Sequence, residues 1–159
     1  MKRLPVLTAA VALGSNVGDR RGHLDYAVAA LGRLLSELKV SSYYETIPEG
    51  VPGQQPLFLN AAAVGATDLN ARSLLDALLE LERHRGRERP FPGAARTLDL
   101  DLILLGDTVQ CESGLEVPHP HFRERRFVLE PLAEIAPELR DPVSGCTVRT
   151  LRDRTANRP

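Results

Sequence analysis

The sequence has few cysteines, little net charge and no long apolar run, and each of these shortages argues against a class of protein. It has no Trp, one Met, two Lys and two Cys. Cys111 and Cys146 could form one disulfide but lack metal-ligand spacing, so we expect reduced thiols in a cytoplasmic protein. A net charge of −1 argues against nonspecific nucleic-acid binding. No apolar run reaches the roughly 18 residues of a membrane span, so we expect no membrane association.

Two common phosphate-binding loops are also missing. Neither GxxxxGK[ST] nor GxGxxG occurs, so a bound nucleotide would need another kind of site. Lys2 and Arg3 precede an apolar run that ends at Leu13, and this arrangement resembles a short secretory signal. The same run is typical of a first buried strand, and it leads directly into the turn GSNVGDR at 14–20. We therefore expect a strand here.

Hydrophobic periodicity predicts alternating strands and helices in a single domain, residues 1–159. Two helical stripes are formed by Leu24, Val28, Leu31, Leu35 and Leu38, and by Leu74, Leu75, Leu78 and Leu81, the second ending at Gly86. Strands are expected at 6–13, 40–44, 59–64 and 98–105, and a shorter helix at about 130–135. This order predicts an α+β, ferredoxin-like sandwich with a mainly antiparallel sheet and helices packed on it.

The most informative motif is RTLDLD at 96–101, which opens the last of these strands. Side chains two residues apart leave a strand on the same face, so Asp99 and Asp101 point the same way. Their Cα atoms would lie about 6.6 Å apart, from a rise of roughly 3.3 Å per residue. Two carboxylates at this distance suit Mg²⁺ shared with a phosphate substrate. The alternative is two solvated aspartates on an edge strand.

Arginines and histidines near this motif also suit phosphate chemistry. Two polar connections, at 46–56 and 86–95, are rich in Gly and Pro and are expected to be binding loops or lids. Arginines at 83, 85, 87, 89 and 96 surround the second connection, and guanidinium groups bind phosphate bidentately. The alternative is compositional, because 18 of the 20 Lys and Arg residues are Arg. His119 suggests a phosphate donor, and a zinc site formed by His119 and His121 is the alternative.

Taken in order, six blocks resemble one family over nearly the whole chain. They are ALGSN with GDR (12–16 and 18–20), SSYYET with Pro48 (41–46), FLNA (58–61), Glu82 with Gly86, Arg87 and Arg89, RTLDLD (96–101), and VPHP with Glu124, Arg125 and FVL (117–120 and 127–129). This series resembles the 6-hydroxymethyl-7,8-dihydropterin pyrophosphokinases of folate biosynthesis. The resemblance implies transfer of the terminal diphosphate of ATP to the pterin hydroxymethyl group, with release of AMP.

The resemblance also implies a role for each matching residue. Asp99 and Asp101 would be catalytic ligands of two Mg²⁺ ions, and Arg87 and Arg89 would be catalytic lid residues. The ATP contacts would be Glu82, Arg96, Leu102, His119 and Arg125. The pterin contacts would be Thr46, Phe58, Asn60 and Phe127, with the two Phe rings stacking on the pterin and the Asn amide bonding its edge. The expected partners are ATP and the pterin, bound by a monomer.

A few positions depart from the family pattern, and two other functions stay open. Ala95, Gly114, Glu116 and His121 stand where other residues are common, which bears on the lid and on nucleotide affinity. The two Phe residues are alternatively ordinary core residues. The chain could instead be a nonenzymatic nucleotide-binding module, or a Mg²⁺-dependent phosphohydrolase that uses water. Formation of AMP only in the presence of the pterin would separate the three.

Overall fold

A computed structural model describes residues 5–47, 57–86 and 97–156 of the chain. The elements follow in the order β1 (Leu7–Ser15), α1 (Arg20–Leu34), β2 (Ser36–Val40), β3 (Tyr44–Thr46), β4 (Phe58–Thr67), α2 (Ala71–His84), β5 (Asp99–Leu105), β6 (Gln110–Glu112), β7 (Leu115–Val117), a 3₁₀ helix (Phe122–Glu124), α3 (Arg126–Ile135) and α4 (Val148–Ala156). None of the helices in these ranges is both long and apolar enough to cross a bilayer.

The main sheet is antiparallel, and β1 lies at its centre. Its strand order is β2-β4-β1-β5, and β3 pairs with β4 on the same edge as β2. β1 pairs with β4 in a continuous register from Leu7 opposite Thr67 to Ser15 opposite Leu59. On its other side β1 pairs with β5, which leaves β5 as an edge strand. The expected α+β architecture is therefore confirmed.

Helices cover both faces of this sheet, because alternate residues of each strand face opposite layers. Val11 and Leu13 of β1 pack with Leu24 and Leu31 of α1 and with Leu74 and Leu78 of α2. Ala10 and Ala62 face the other way and pack with residues of α3 and α4. The ferredoxin-like half uses α1 and α2, whereas the site described below lies on the face that carries α3.

The helix predicted from the first leucine stripe is longer than the helix in the structure. α1 ends at Leu34, Leu35 has an extended backbone, and Leu38 lies in β2. Both leucines still pack on the core of α1 and α2. The leucine spacing thus predicted correctly which residues face the core. It did not show that the last of them lies in a strand and not in the helix.

The predicted strand 40–44 spans a break between two strands. Ser41 still pairs with Ala62, but Ser42 donates from its backbone N–H and its hydroxyl to Glu134 of α3. β2 therefore ends at Val40, and β3 begins at Tyr44. The predicted helix at 130–135 begins four residues earlier, at Arg126.

The β6–β7 hairpin and α4 had no counterpart among the predicted elements. Both are short, and α4 contributes Val148 and Leu151 to the hydrophobic core beneath α3. The second helical stripe was predicted correctly, since α2 ends at His84 and Gly86 follows with a φ of +73°. Glycine adopts that left-handed conformation without the penalty of a Cβ atom. Most of the two polar connections lies outside the described residues.

Candidate active site

Asp99 and Asp101 lie on one face of β5, as the spacing predicts. Asp99 is opposite Gly14 of β1 and Asp101 is opposite Ala12, whose side chain packs beneath α3 and α4. Both carboxylates are half-buried. In the described ranges no three His, Cys, Asp or Glu side chains form a metal-binding cluster. Two carboxylates without a third protein ligand suit a hard cation that completes its shell with water and phosphate oxygens.

Glu82 supports the strand that carries this pair. It is 2% exposed, and Oε2 accepts a 2.7 Å hydrogen bond from the backbone N–H of Leu100, the residue between the two aspartates. A sheet edge otherwise leaves such backbone donors without a strand partner. Glu82 thus lies under β5 and is not part of the lining of the cavity described next, and its contact with ATP stays a prediction.

A cavity of about 380 Å³ lies beside Asp101. Its lining combines the first half of β5 with the β6–β7 hairpin and the segment that follows, and includes Leu102, Gly114, Leu115, Glu116 and His119. The structure therefore brings together Asp101, Leu102 and His119, three of the predicted site residues. Gly114 and Glu116, two of the departures from the family pattern, lie on the same lining, so they bear directly on what the cavity binds.

The imidazole of His119 is held neutral. Burial, then the positive charge of Arg125, lowers its pKa to about 4. The backbone N–H of His121 donates to Nδ1 over 3.1 Å, so the ring proton must lie on Nε2. The backbone of His119 is anchored separately, because its N–H donates to the Ile103 carbonyl of β5. His119 can therefore donate one hydrogen bond at neutral pH without adding a charge.

The residues predicted to bind the pterin lie on the same face of the sheet as the aspartates. Asp99, Gly14, Asn60 and Tyr44 are successive cross-strand partners from β5 to β3. The Asn60 amide donates to the Thr46 hydroxyl, and Phe58 is paired with Thr46 in the ladder. A Cβ added to Gly14 would lie 3.0 Å from Asn60 Oδ1 and 3.7 Å from the Phe58 ring. Gly14 thus leaves room between the aspartates and the Asn60 amide.

α3 contributes the wall opposite the sheet. Phe127 is half-buried against the core beneath α3, and the Arg125 guanidinium lies 5.7 Å from its ring centroid. Tyr44 donates a 2.5 Å hydrogen bond to Glu134 of α3, and this bond raises the pKa of Tyr44 to about 12. Glu134 therefore ties β3 to the helix that carries Phe127.

Three predicted residues, Arg87, Arg89 and Arg96, lie outside the described residues, as do most of the loops that carry them. Conversely, sequence reasoning gave no role to Gly14 or Glu134. Gly14 lies in the ALGSN block, and a glycine within a strand could have indicated that another group approaches the backbone closely there. Glu134 shows no local signal, because its partners Ser42 and Tyr44 are about 90 residues away in the chain.

Comparisons with known proteins agree on one family. The family model described as 7,8-dihydro-6-hydroxymethylpterin-pyrophosphokinase (HPPK) matches residues 10–137. The chain is 43% identical over 134 residues to 2-amino-4-hydroxy-6-hydroxymethyldihydropteridine pyrophosphokinase of Pseudomonas aeruginosa, covering 83% of this chain and 82% of that one. It is 44% identical over 134 residues to the protein of the same name from Bacillus subtilis, covering 82% and 79%.

A solved structure shares the fold. The Plasmodium falciparum HPPK-DHPS crystal structure with pterin and p-hydrobenzoate matches 97% of this chain with a TM-score of 0.71 at 15% identity. This chain spans 45% of that longer chain. Because the family model covers most of the sequence and two bacterial relatives exceed 40% identity over most of their length, the chain belongs to the 7,8-dihydro-6-hydroxymethylpterin pyrophosphokinase family.

Proposed function

We propose that this chain performs its family's reaction, transferring the terminal diphosphate of ATP to the hydroxymethyl oxygen of 6-hydroxymethyl-7,8-dihydropterin. A bond forms between that oxygen and the β-phosphorus as the hydroxyl gives up its proton to the solvent, and the bond from the β-phosphorus to the α–β bridging oxygen breaks, so that AMP leaves. The observation that carries the proposal is the row of cross-strand partners from Asp99 through Gly14 to Asn60. It sets a pair of carboxylates and an amide on one sheet face, with space between them.

Asp99 and Asp101 would hold Mg²⁺ against the triphosphate, and we propose two ions. When bound, Mg²⁺ neutralises phosphate charge and orients the reacting oxygens. The carboxylates themselves are kept on one face by the β5 backbone, which Glu82 braces at Leu100. His119 would donate from Nε2 to a phosphate oxygen, and Arg125 would add a positive charge nearby. The cavity lined by Leu102 and Leu115 would take the adenosine part of ATP.

The pterin would lie between β4 and α3. Its flat ring suits the half-buried rings of Phe58 and Phe127, since stacking on aromatic faces needs planar partners. Asn60 offers both a donor and an acceptor to the amide edge, and Thr46 supplies a hydroxyl beside it. The hydroxymethyl group of the ring would then lie on the sheet face that also carries Asp99. Proximity of the two substrates on one rigid surface is itself a large part of such catalysis.

Arg87, Arg89 and Arg96 complete the proposal as phosphate ligands. Guanidinium groups that contact the transferring diphosphate only late in the reaction would stabilise the transition state more than bound ATP. Arg87→Ala and Arg89→Ala should then lower kcat more than they weaken ATP binding. Equal losses in both quantities would assign these residues to ground-state binding.

The deciding experiment follows product formation by the purified chain with Mg-ATP. The proposal expects AMP and the pterin diphosphate only when 6-hydroxymethyl-7,8-dihydropterin is present. Release of phosphate or AMP without the pterin would indicate a phosphohydrolase. Nucleotide binding without any product would indicate a nonenzymatic module. Either result would overturn the proposal.

We also propose that residues 1–159 form one pyrophosphokinase domain that acts as a monomer in the cytoplasm. Strands β1, β3, β4 and β5 and helix α3 contribute the described residues of one continuous sheet face and its opposite wall. Cys111 and Cys146 are both free thiols, which suits a reducing compartment.

A further inference from the structure

Arg20, in the GDR block after β1, links β3 to the beginning of β4 on the sheet face that carries α1. Asp19 caps α1 by accepting a 3.1 Å hydrogen bond from the Gly22 N–H, so Arg20 is the first residue of that helix. Its guanidinium donates from Nη1 to the Leu57 carbonyl over 2.8 Å and from Nη2 to Glu45 Oε2 over 3.1 Å. The Arg20 side chain therefore contacts both β3, at Glu45, and the residue that precedes β4, Leu57.

The two acceptors sit next to predicted pterin residues. Leu57 directly precedes Phe58, and Glu45 directly precedes Thr46, while Thr46 and Phe58 are cross-strand partners. Because neighbouring residues of a strand face opposite sides, Glu45 points away from the face that carries Thr46. Arg20 thus contacts the end of the β3–β4 ladder on the sheet face that carries α1. The residues predicted to bind the pterin lie on the opposite face.

This end of the ladder needs such a support. β3 has three residues and lies at the sheet edge, where β4 is its one partner among the described strands. A strand that short contributes few ladder hydrogen bonds, so its position depends on outside contacts. Glu134 holds Tyr44 at the beginning of β3, whereas Arg20 holds Glu45, the middle residue of β3, and Leu57, the residue before β4.

We propose that Arg20 is a positioning residue for pterin recognition, which sets the relative placement of Thr46 and Phe58 without touching the substrate. This inference rests on the proposed function of the site. The Arg20 and Glu45 side chains are 31% and 51% exposed, and pairs this exposed add little to global stability. Loss of Arg20 should therefore appear in pterin affinity, while ATP affinity and the melting temperature change little.

Calorimetry of 6-hydroxymethyl-7,8-dihydropterin in the presence of Mg²⁺ and a nonhydrolysable ATP analogue tests this. We expect Arg20→Ala to raise the pterin Kd about three- to tenfold, less than the full cost of the two lost contacts, because only part of the strand displacement enters pterin binding. Arg20→Lys should be intermediate, because an ammonium cannot bridge both acceptors as a fork does. Arg33→Ala, an exposed arginine in the last turn of the same helix, is the matched control and should match the wild type.

Glu45→Gln separates the two contacts, since it leaves the Arg20 bond to the Leu57 carbonyl in place. We expect a smaller rise in pterin Kd than for Arg20→Ala, and no further rise when both changes are combined. An unchanged pterin Kd in Arg20→Ala, or a parallel loss of ATP affinity and melting temperature, would overturn the inference. A wild-type chain that forms no AMP with the pterin would instead contradict the proposed function.

Discussion

The backbone N–H of Leu100 donates to the buried carboxylate of Glu82 over 2.7 Å, between the two aspartates of β5. An acidic side chain thus takes the place of the next strand at the edge of the sheet. The bond links the end of α2 to the point where the metal-binding pair is presented. It explains how two carboxylates on an edge strand are kept in a fixed relation.

Removing this acceptor should destabilise the protein. Glu82→Ala leaves the buried Leu100 N–H without its partner, and we expect the free energy of unfolding to fall by about 1–3 kcal/mol. Glu82→Gln keeps an acceptor oxygen and should lose less. Urea unfolding of both variants measures the difference, and equal losses would rule out the acceptor role.

Removing either aspartate should abolish turnover while the fold persists. Asp99→Ala and Asp101→Ala are expected to lower kcat by orders of magnitude, because neither leaves a pair to hold Mg²⁺. Each also removes one of two like charges, so the metal-free protein should be as stable as the wild type or slightly more so. Asp107→Ala, an exposed change just beyond β5, serves as the control. Near wild-type turnover of either site variant at limiting Mg²⁺ would contradict the metal assignment.

The pterin contacts should be separable from the ATP contacts. Phe58→Ala and Asn60→Ala are expected to weaken pterin binding by about 1–3 kcal/mol and to leave ATP binding nearly unchanged. Calorimetry with each ligand on folded variants decides this. If ATP affinity falls as far as pterin affinity, these side chains serve the core or the nucleotide instead.

Gly14 should matter through the space that it leaves. The Cβ of Gly14→Ala would meet Asn60 Oδ1 at 3.0 Å, so the Asn60 amide, which donates to the Thr46 hydroxyl, would have to shift by a few tenths of an ångström. We expect a higher KM for the pterin, with a smaller change for ATP. The double variant with Asn60→Ala is the critical comparison. An effect of Gly14→Ala that persists undiminished without the amide would point to another cause.

Asp141 should govern part of the acid stability. Although burial opposes the shift, hydrogen bonds from Arg123 and Ser144 hold the pKa of this fully buried carboxyl at about 2, below its ordinary 3.8. Because the pKa is lower in the folded state than in the unfolded state, the carboxylate stabilises the protein at pH values above the unfolded-state pKa. This stabilisation is lost as the pH falls towards 2. The contribution at neutral pH is about 2 kcal/mol.

Asp141→Asn supplies the test of that linkage. The difference in unfolding free energy between wild type and Asp141→Asn should be constant above pH 5 and shrink steadily between pH 4 and about pH 2. Chemical denaturation at several pH values measures it. A difference that stays constant down to pH 2 would show that the carboxylate is not selectively stabilised in the folded state.

The sequence alone determined the features that depend on local order along the chain. Alternation in RTLDLD placed Asp99 and Asp101 on one face, and β5 shows them there, because the period of a strand is set by its backbone. The leucine stripe of α2 and its glycine stop were likewise local. The order of blocks was enough to identify the family, and the comparisons confirmed it.

Tertiary structure decided what depends on partners distant in the chain. The end of α1 at Leu34, the break at Ser42 and the burial of Glu82 under β5 each follow from contacts that no local pattern contains. The same holds for Gly14 and Arg20, whose neighbours lie on β3 and β4. The periodicity of the sequence shows which face of an element a side chain occupies. The packing of separate elements decides which residues that side chain contacts.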